Sequence, residues 1–270
     1  MMISQKDRVA RFRDAHAKGK TLVLPNAWDA ASARMVADAG AAAIATSSAA
    51  VAWCHGYADG ETMPRDVVMT ATKEVLRVVD LPVTVDSEAG YSDDPAKVAA
   101  HVMALIDLGV AGINIEDSTD EPGLLVAKIE AIKAAAKAKG ADIFINARAD
   151  VYLKNLVPDD AKLKEIVRRG VIYRDAGADG FFAPAVTALS DIRAVVDAVD
   201  LPVNSLANKA APDVAALKSA GVRRVSIGAL TARAAYGQAA KVIKMLLNDG
   251  KYDAIFQTSG EAPDFNKAFG

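Results

Sequence analysis

The stretch VTVDSEAGYSDDP, residues 83–95, places Asp86 and Glu88 one residue apart where a β-branched run gives out, with Tyr91 close behind. A second run, GINIEDS (112–118), ends in Glu116 and Asp117, and a third, IFINARAD (143–150), ends in Asn146, Arg148 and Asp150. Carboxylates at the ends of successive apolar runs repel one another when brought together, so they call for a counter-charge. A hard divalent cation supplies it: Mg²⁺, with Mn²⁺ as substitute, takes one or two carboxylates directly and fills its other positions with water and substrate oxygens. Residues i and i+2 of a strand share a side, so Asp86 and Glu88 are expected at one mouth, with Glu116 on the next strand. Arg148 at the same end is expected to act as a planar fork for a carboxylate; an ion pair with Asp150 or Glu116 is the competing assignment.

Other residue patterns carry less. His16, His55 and His101 are too dispersed for a histidine-built metal site. Cys54 adjoins His55, but neighbours in a loop seldom face each other as a nucleophilic dyad. SIGAL (226–230), ahead of a helix, offers backbone N–H groups to a phosphate. Asp94 before Pro95 reads as a helix cap.

Eight apolar runs lie between helical segments: 21–26, 42–48, 82–88, 112–118, 143–150, 180–186, 202–207 and 222–229. Several of the segments between them open on Asp or Pro and close on Gly, and the closing turns recur as in DAGAAAIAT, DLGVAGINI, DAGADGFFA and SAGVRRVSI. A βα unit repeated eight times without a linker predicts an α/β protein, a single (β/α)8 TIM barrel over residues 1–270, with function at the carboxyl ends of its strands. The alternative, an open doubly wound sheet, lacks a Gly-rich dinucleotide fingerprint here. Residues 1–20 are expected as an N-terminal helix under the barrel, 21–247 as the barrel, and 248–270 as a tail with helical extension. Ser47 and Ser48 follow the second strand, and Asn204 lies near the seventh. Tyr252, Ile255 and Phe256 in the tail predict packing on another subunit, hence a homo-oligomer, dimer or tetramer.

A hydrophobic content of 52% supports a large core, and 32 basic against 34 acidic residues give a net charge of −2, which provides no footprint for nucleic acid or an anionic membrane. The lone cysteine, the charged amino terminus and the lack of a long apolar run predict a cytoplasmic protein.

LPNAWDAASARMVADAG, TSSAAVAWCHGYADGE, VTVDSEAGY, INIEDS and NARAD, in that order and spacing, resemble the isocitrate lyase and phosphoenolpyruvate mutase superfamily. The resemblance implies Mg²⁺ at the barrel mouth and a small 2-oxo or 2-hydroxy carboxylic acid as substrate. It implies Asp86 as direct ligand, with Asp59, Glu88 and Glu116 holding metal-bound waters. Arg148 then clamps the substrate carboxylate, the Ser48 and Ala49 amides receive an oxyanion, and Asp59 positions water in hydrolytic members. Departures narrow the reaction. The Lys-Lys-Cys-Gly-His motif of isocitrate and methylisocitrate lyases is replaced by EDSTDEPGLLVAKIEA, and the loop 118–123 is shorter than the mutases' gating loop and lacks its lysine and asparagine. The expectation is a carbon–carbon lyase or hydrolase passing through an enolate. The alternatives are phosphonopyruvate hydrolase or mutase chemistry, and a non-catalytic acid-binding barrel.

Overall fold

The computed structural model of the protein describes residues 3–270. Every predicted apolar run contains a strand, and all pair in parallel. They are β1 (Leu22–Leu24), β2 (Asn26–Ala27), β3 (Ile44–Thr46), β4 (Val83–Asp86), β5 (Gly112–Glu116), β6 (Phe144–Arg148), β7 (Gly180–Phe182), β8 (Val203–Leu206) and β9 (Arg224–Ser226).

Nine strands arise from eight runs because Pro25 splits the first. Proline lacks the N–H a central strand needs. The two halves then pair in opposite directions around the sheet, β1 with β9 and β2 with β3, which makes a nearly closed (β/α)8 barrel. Asn26 stitches this seam. Its Oδ1 accepts the Ile227 and Gly228 N–H groups at 3.1 and 2.9 Å, and its Nδ2 donates to the Thr46 carbonyl at 2.8 Å. Two of the SIGAL amides are thereby spent inside the protein and a third, that of Leu230, donates to the Ile227 carbonyl, which overturns the phosphate role expected of that segment.

Alternation along the strands sorts core from interior. Val83, Val85, Ile113, Ile115, Ile145 and Ala147 join the main apolar cluster beneath the helices. The intervening Thr84, Asn114, Asn146 and Arg224 turn inside the barrel. Arg224 is 1% exposed and donates from Nη2 to Asn114 Oδ1 at 3.0 Å, while Asn146 Nδ2 donates to the same oxygen at 2.9 Å. Burial pulls the Arg224 guanidinium down to about 9, against the attraction of Asp86.

The barrel bottom is plugged by α1 (Gln5–Ala15), capped by Ser4, whose hydroxyl accepts the Asp7 N–H. Val9 and Phe12 pack on Leu22, Leu24, Ala43, Ala45, Ala111 and Phe144. A Cβ on Gly112 would stand 2.9 Å from the Phe12 ring, so only glycine admits the plug there. Asp94 caps α5 (Pro95–Leu108) as expected, accepting the Ala96 N–H at 2.9 Å.

The long helix α10 (Leu230–Asp249) buries only Ala232. Ile243 (56% exposed), Leu247 (79%), Tyr252 (61%) and Phe256 (72%) leave an apolar surface along it and along α11 (Asp253–Ser259). Among the described residues, no helix is long and apolar enough to cross a membrane.

Candidate active site

Asp86 is the last residue of β4. Its N–H donates to Thr46 Oγ1 at 2.9 Å, which fixes the strand end against β3. Ser48, the first residue of α3 (Ser48–Cys54), then donates both its N–H (3.1 Å) and its hydroxyl (2.9 Å) to Asp86 Oδ2. The other oxygen, Oδ1, is buried and has no hydrogen-bond partner. A buried carboxylate oxygen without a partner is costly, and it leaves Asp86 one lone-pair position unspent. The Ser48 amide is thus committed to Asp86, whereas the reading from sequence gave it to a substrate oxyanion. Ser47 precedes it as the helix N-cap, buried and without a side-chain capping bond.

Glu88 reaches the mouth by a different route from the strand alternation expected. It lies beyond β4 with φ +48°, its carbonyl still accepting the Glu116 N–H at 2.9 Å. Its carboxylate is clasped by residues the sequence reading left without a role. The Glu61 N–H donates at 2.6 Å and the Tyr91 hydroxyl at 3.1 Å, while Glu61 Oε1 accepts the Tyr91 N–H at 2.6 Å. Burial, then the nearby Asp86 charge, push the Glu88 carboxyl up to about 7, with a smaller push from Asp59. Asp59 is therefore close enough to be felt, although it sits exposed on the loop after α3.

Glu116 ends β5 opposite Arg148, its register partner on β6. Arg148 Nη1 meets Glu116 Oε2 at 2.6 Å, and its Nε and Nη2 donate to Asp150 at 2.6 and 2.9 Å, so both ion-pair assignments hold at once. Burial pushes Glu116 up to about 8, opposed by Arg148 and supported by Asp150 and Asp86. Burial works against the Arg148 charge too, but the carboxylates around it outweigh that and hold it firmly protonated.

Asp117 turns away from the mouth. It accepts Arg169 Nη1 at 2.7 Å and the Tyr173 hydroxyl at 2.6 Å, both from α7 (Asp159–Asp175), and the Asp150 N–H at 2.9 Å. Lys154 bonds Ser118 Oγ and lies 3.5 Å from Asp150, bringing a second cation to the loop after β5. Asn204 is fully buried, its Oδ1 accepting Ser226 Oγ at 3.2 Å while Nδ2 has no partner. Cys54 and His55 form no dyad: the thiol points to the Val51 and Trp28 carbonyls and is pushed up to about 11 by burial and Asp29.

Among the described residues, no three His, Cys, Asp or Glu side chains converge as a set of direct metal ligands. A cage for a transition metal is not formed, whereas one buried free carboxylate oxygen flanked by Glu88 and Glu116 suits a hard cation that keeps most of its waters.

The fold and site together define a (β/α)8 barrel enzyme with an acid-lined mouth and a buried arginine facing it. A model of the phosphoenolpyruvate phosphomutase family matches residues 12–247, so the chain belongs to that family, within the phosphoenolpyruvate mutase and isocitrate lyase superfamily. An uncharacterized protein of Mycobacterium tuberculosis H37Rv is 37% identical over 223 residues, covering 81% of this chain and 82% of that protein. The 2-methylisocitrate lyase of Escherichia coli K12 is 30% identical over 204 residues, covering 71% and 67%. Among solved structures, a Burkholderia cenocepacia J2315 protein named provisionally as a phosphonomutase superposes with TM-score 0.83 at 42% identity, covering 88% of this chain and 99% of that one. A 2,3-dimethylmalate lyase superposes with TM-score 0.82 at 25% identity, covering 93% and 90%.

Proposed function

We propose that the protein is a Mg²⁺-dependent lyase that cleaves a carbon–carbon bond in a small 2-oxo or 2-hydroxy carboxylic acid in the cytoplasm, with water as second reactant if the enzyme is a hydrolase. The observation that carries this reading is the unpartnered, buried Asp86 Oδ1 between two carboxyls of raised proton affinity, opposite Arg148. Asp86 would hold the ion directly, with Glu88, Glu116 and Asp59 acting through water. When bound, the cation would polarise the substrate oxygen at C2 and offset the charge that develops there on cleavage. Arg148 binds and orients the substrate carboxylate. Ser48 holds Asp86 in place, and the adjoining Ala49 N–H lies in the first turn of α3, where developing negative charge is favoured. Glu116, beside Arg148, serves as the group that takes up a proton. Asp59, exposed on its loop, positions water if the reaction is hydrolytic. Relatives whose names describe carbon–carbon lyases support the reaction class.

The test is turnover of four- to seven-carbon 2-oxo and 2-hydroxy diacids with Mg²⁺ or Mn²⁺, followed by mass spectrometry. Product formation that chelator abolishes is expected. No product from any of them would overturn the reading.

Carbon–phosphorus chemistry has one observation in its favour: Lys154 joins Arg148 near the loop 118–123, so two cations lie where a dianionic phosphono group could bind. Release of inorganic phosphate from phosphonopyruvate would select this second reading.

A further inference from the structure

We infer that Asp150 is a positioning residue that makes Arg148 a one-sided fork for a carboxylate. The inference rests on the function proposed above. A guanidinium carries five N–H groups in one plane. Asp150 occupies one edge of that plane, taking Nε at 2.6 Å and Nη2 at 2.9 Å. Its side chain is completely buried, so this edge is closed to any ligand. The Phe182 ring lies 5.7 Å from Arg148 Cζ and covers one face of the plane. What remains is the opposite end, Nη1 with the second N–H of Nη2, a bidentate edge the width of one carboxylate. Glu116 lies 2.6 Å from Nη1, which carries two N–H groups, so a carboxylate on this edge shares Nη1 with Glu116.

Asp150 is itself anchored from behind. Its N–H donates to Asp117 Oδ1 at 2.9 Å, and Asp117 Oδ2 is gripped by Arg169 and Tyr173 at 2.7 and 2.6 Å. The direction in which Arg148 points is therefore set by helix α7, through two carboxylates in series. Without Asp150 the guanidinium would keep only Glu116 at Nη1 and the Phe182 ring on one face, and its Nε edge would be unheld.

Oxalate, a planar dicarboxylate, serves as probe, titrated calorimetrically into Mg²⁺-saturated protein. Asp150→Asn presents an N–H₂ to the Nε edge in place of an acceptor and should weaken oxalate by roughly 10-fold or more, the scale of supporting-residue losses. Mg²⁺ affinity measured without oxalate should change less than oxalate affinity, because Asp150 bonds Arg148 and not Asp86. In a double-mutant cycle with Arg148→Lys, adding Asp150→Asn should cost little more, since Asp150 acts through Arg148. Equal oxalate affinity in wild type and Asp150→Asn, or fully additive losses in the cycle, would overturn the positioning role and leave the proposed function standing. A wild-type protein that binds Mg²⁺ but not oxalate would overturn both. If Asp150→Asn fails to fold, Asp150→Glu, which keeps the charge and shifts it by one methylene, decides by the same criteria.

Discussion

Ser48 donates twice to one oxygen of Asp86 and leaves the other bare. The two donors hold the carboxylate in a single rotamer, which is what a lone direct ligand needs if the cation is to sit in one place. Asp86→Ala should abolish Mg²⁺-dependent stabilisation and activity while the barrel stays folded. Two effects oppose each other in the metal-free protein: relief of repulsion with Glu88 and Glu116, and loss of the attraction to Arg224. The melting temperature without metal should therefore move by only a few degrees, roughly 2–4 °C per kcal/mol at this size. Calorimetric scans with and without Mg²⁺ check it, and a collapse of the apo melting transition would make Asp86 a structural residue instead.

Glu88 and Glu116 give the metal-free protein a distinctive dependence on pH. Both carboxyls are raised on folding, to about 7 and about 8, so between about pH 4.5 and 8 the folded state binds more protons than the unfolded one. The associated stability is present below pH 4.5 and is lost as pH rises through 7 to 8. In chelator, the melting temperature should fall by roughly 5 °C or more from pH 5.5 to 8.5. Mg²⁺ should restore more at pH 8.5 than at 5.5, because binding displaces the protons. A chelated protein whose stability rises over that range would contradict the assignment.

Glu88 already accepts from the Glu61 amide and the Tyr91 hydroxyl, which suits a carboxylate that meets the cation through water. Glu88→Asp should keep measurable activity, with water spanning the missing methylene. Glu88→Gln loses the charge and turns one acceptor toward a donor, and should fall by roughly 10- to 100-fold. Initial rates across a Mg²⁺ titration rank the two, and a better Gln than Asp would remove the water-mediated role.

The apolar surface on α10 and α11 is expected to be covered by another protomer. Ile243, Leu247, Tyr252 and Phe256 stand 56%, 79%, 61% and 72% exposed, and α10 buries only Ala232. Light scattering should give a dimer or tetramer, and removal of residues 249–270 should lower that mass. A full-length monomer would exclude the assembly.

The strands and the acidic mouth were legible because both are local in sequence. Apolar runs announce buried strands, and carboxylates recurring at the ends of several of them mark the mouth, although Asp117, at the end of one, turns away to Arg169 and Tyr173. The clasp on Glu88 was not legible: it depends on left-handed backbone at Glu61, Glu88 and Tyr91, at φ 60°, 48° and 59°, which no residue type signals when none of the three is glycine. Nor was the support behind Asp150. Arg169 lies 52 residues from Asp117, so nothing local in the sequence pairs them. Asp59, Glu61 and Tyr91 share the segments flanking α4 (Arg65–Arg77), and only the fold brings the first two over Glu88.

The seam at Pro25 has a kinetic meaning. Its bonds join residues 201 and 202 positions apart, the Asn26 side chain to the Ile227 and Gly228 amides, so forming them requires the two ends of the barrel to meet after everything between has been placed. Loop-closure entropy makes so distant a pairing late to form. The staves from β3 to β8 can assemble from neighbours in sequence, and the circle is then closed by the β1–β9 ladder together with the Asn26 side chain. Protection against amide exchange at Ile227 and Gly228 should accordingly be the last acquired on refolding and the first surrendered when the barrel opens.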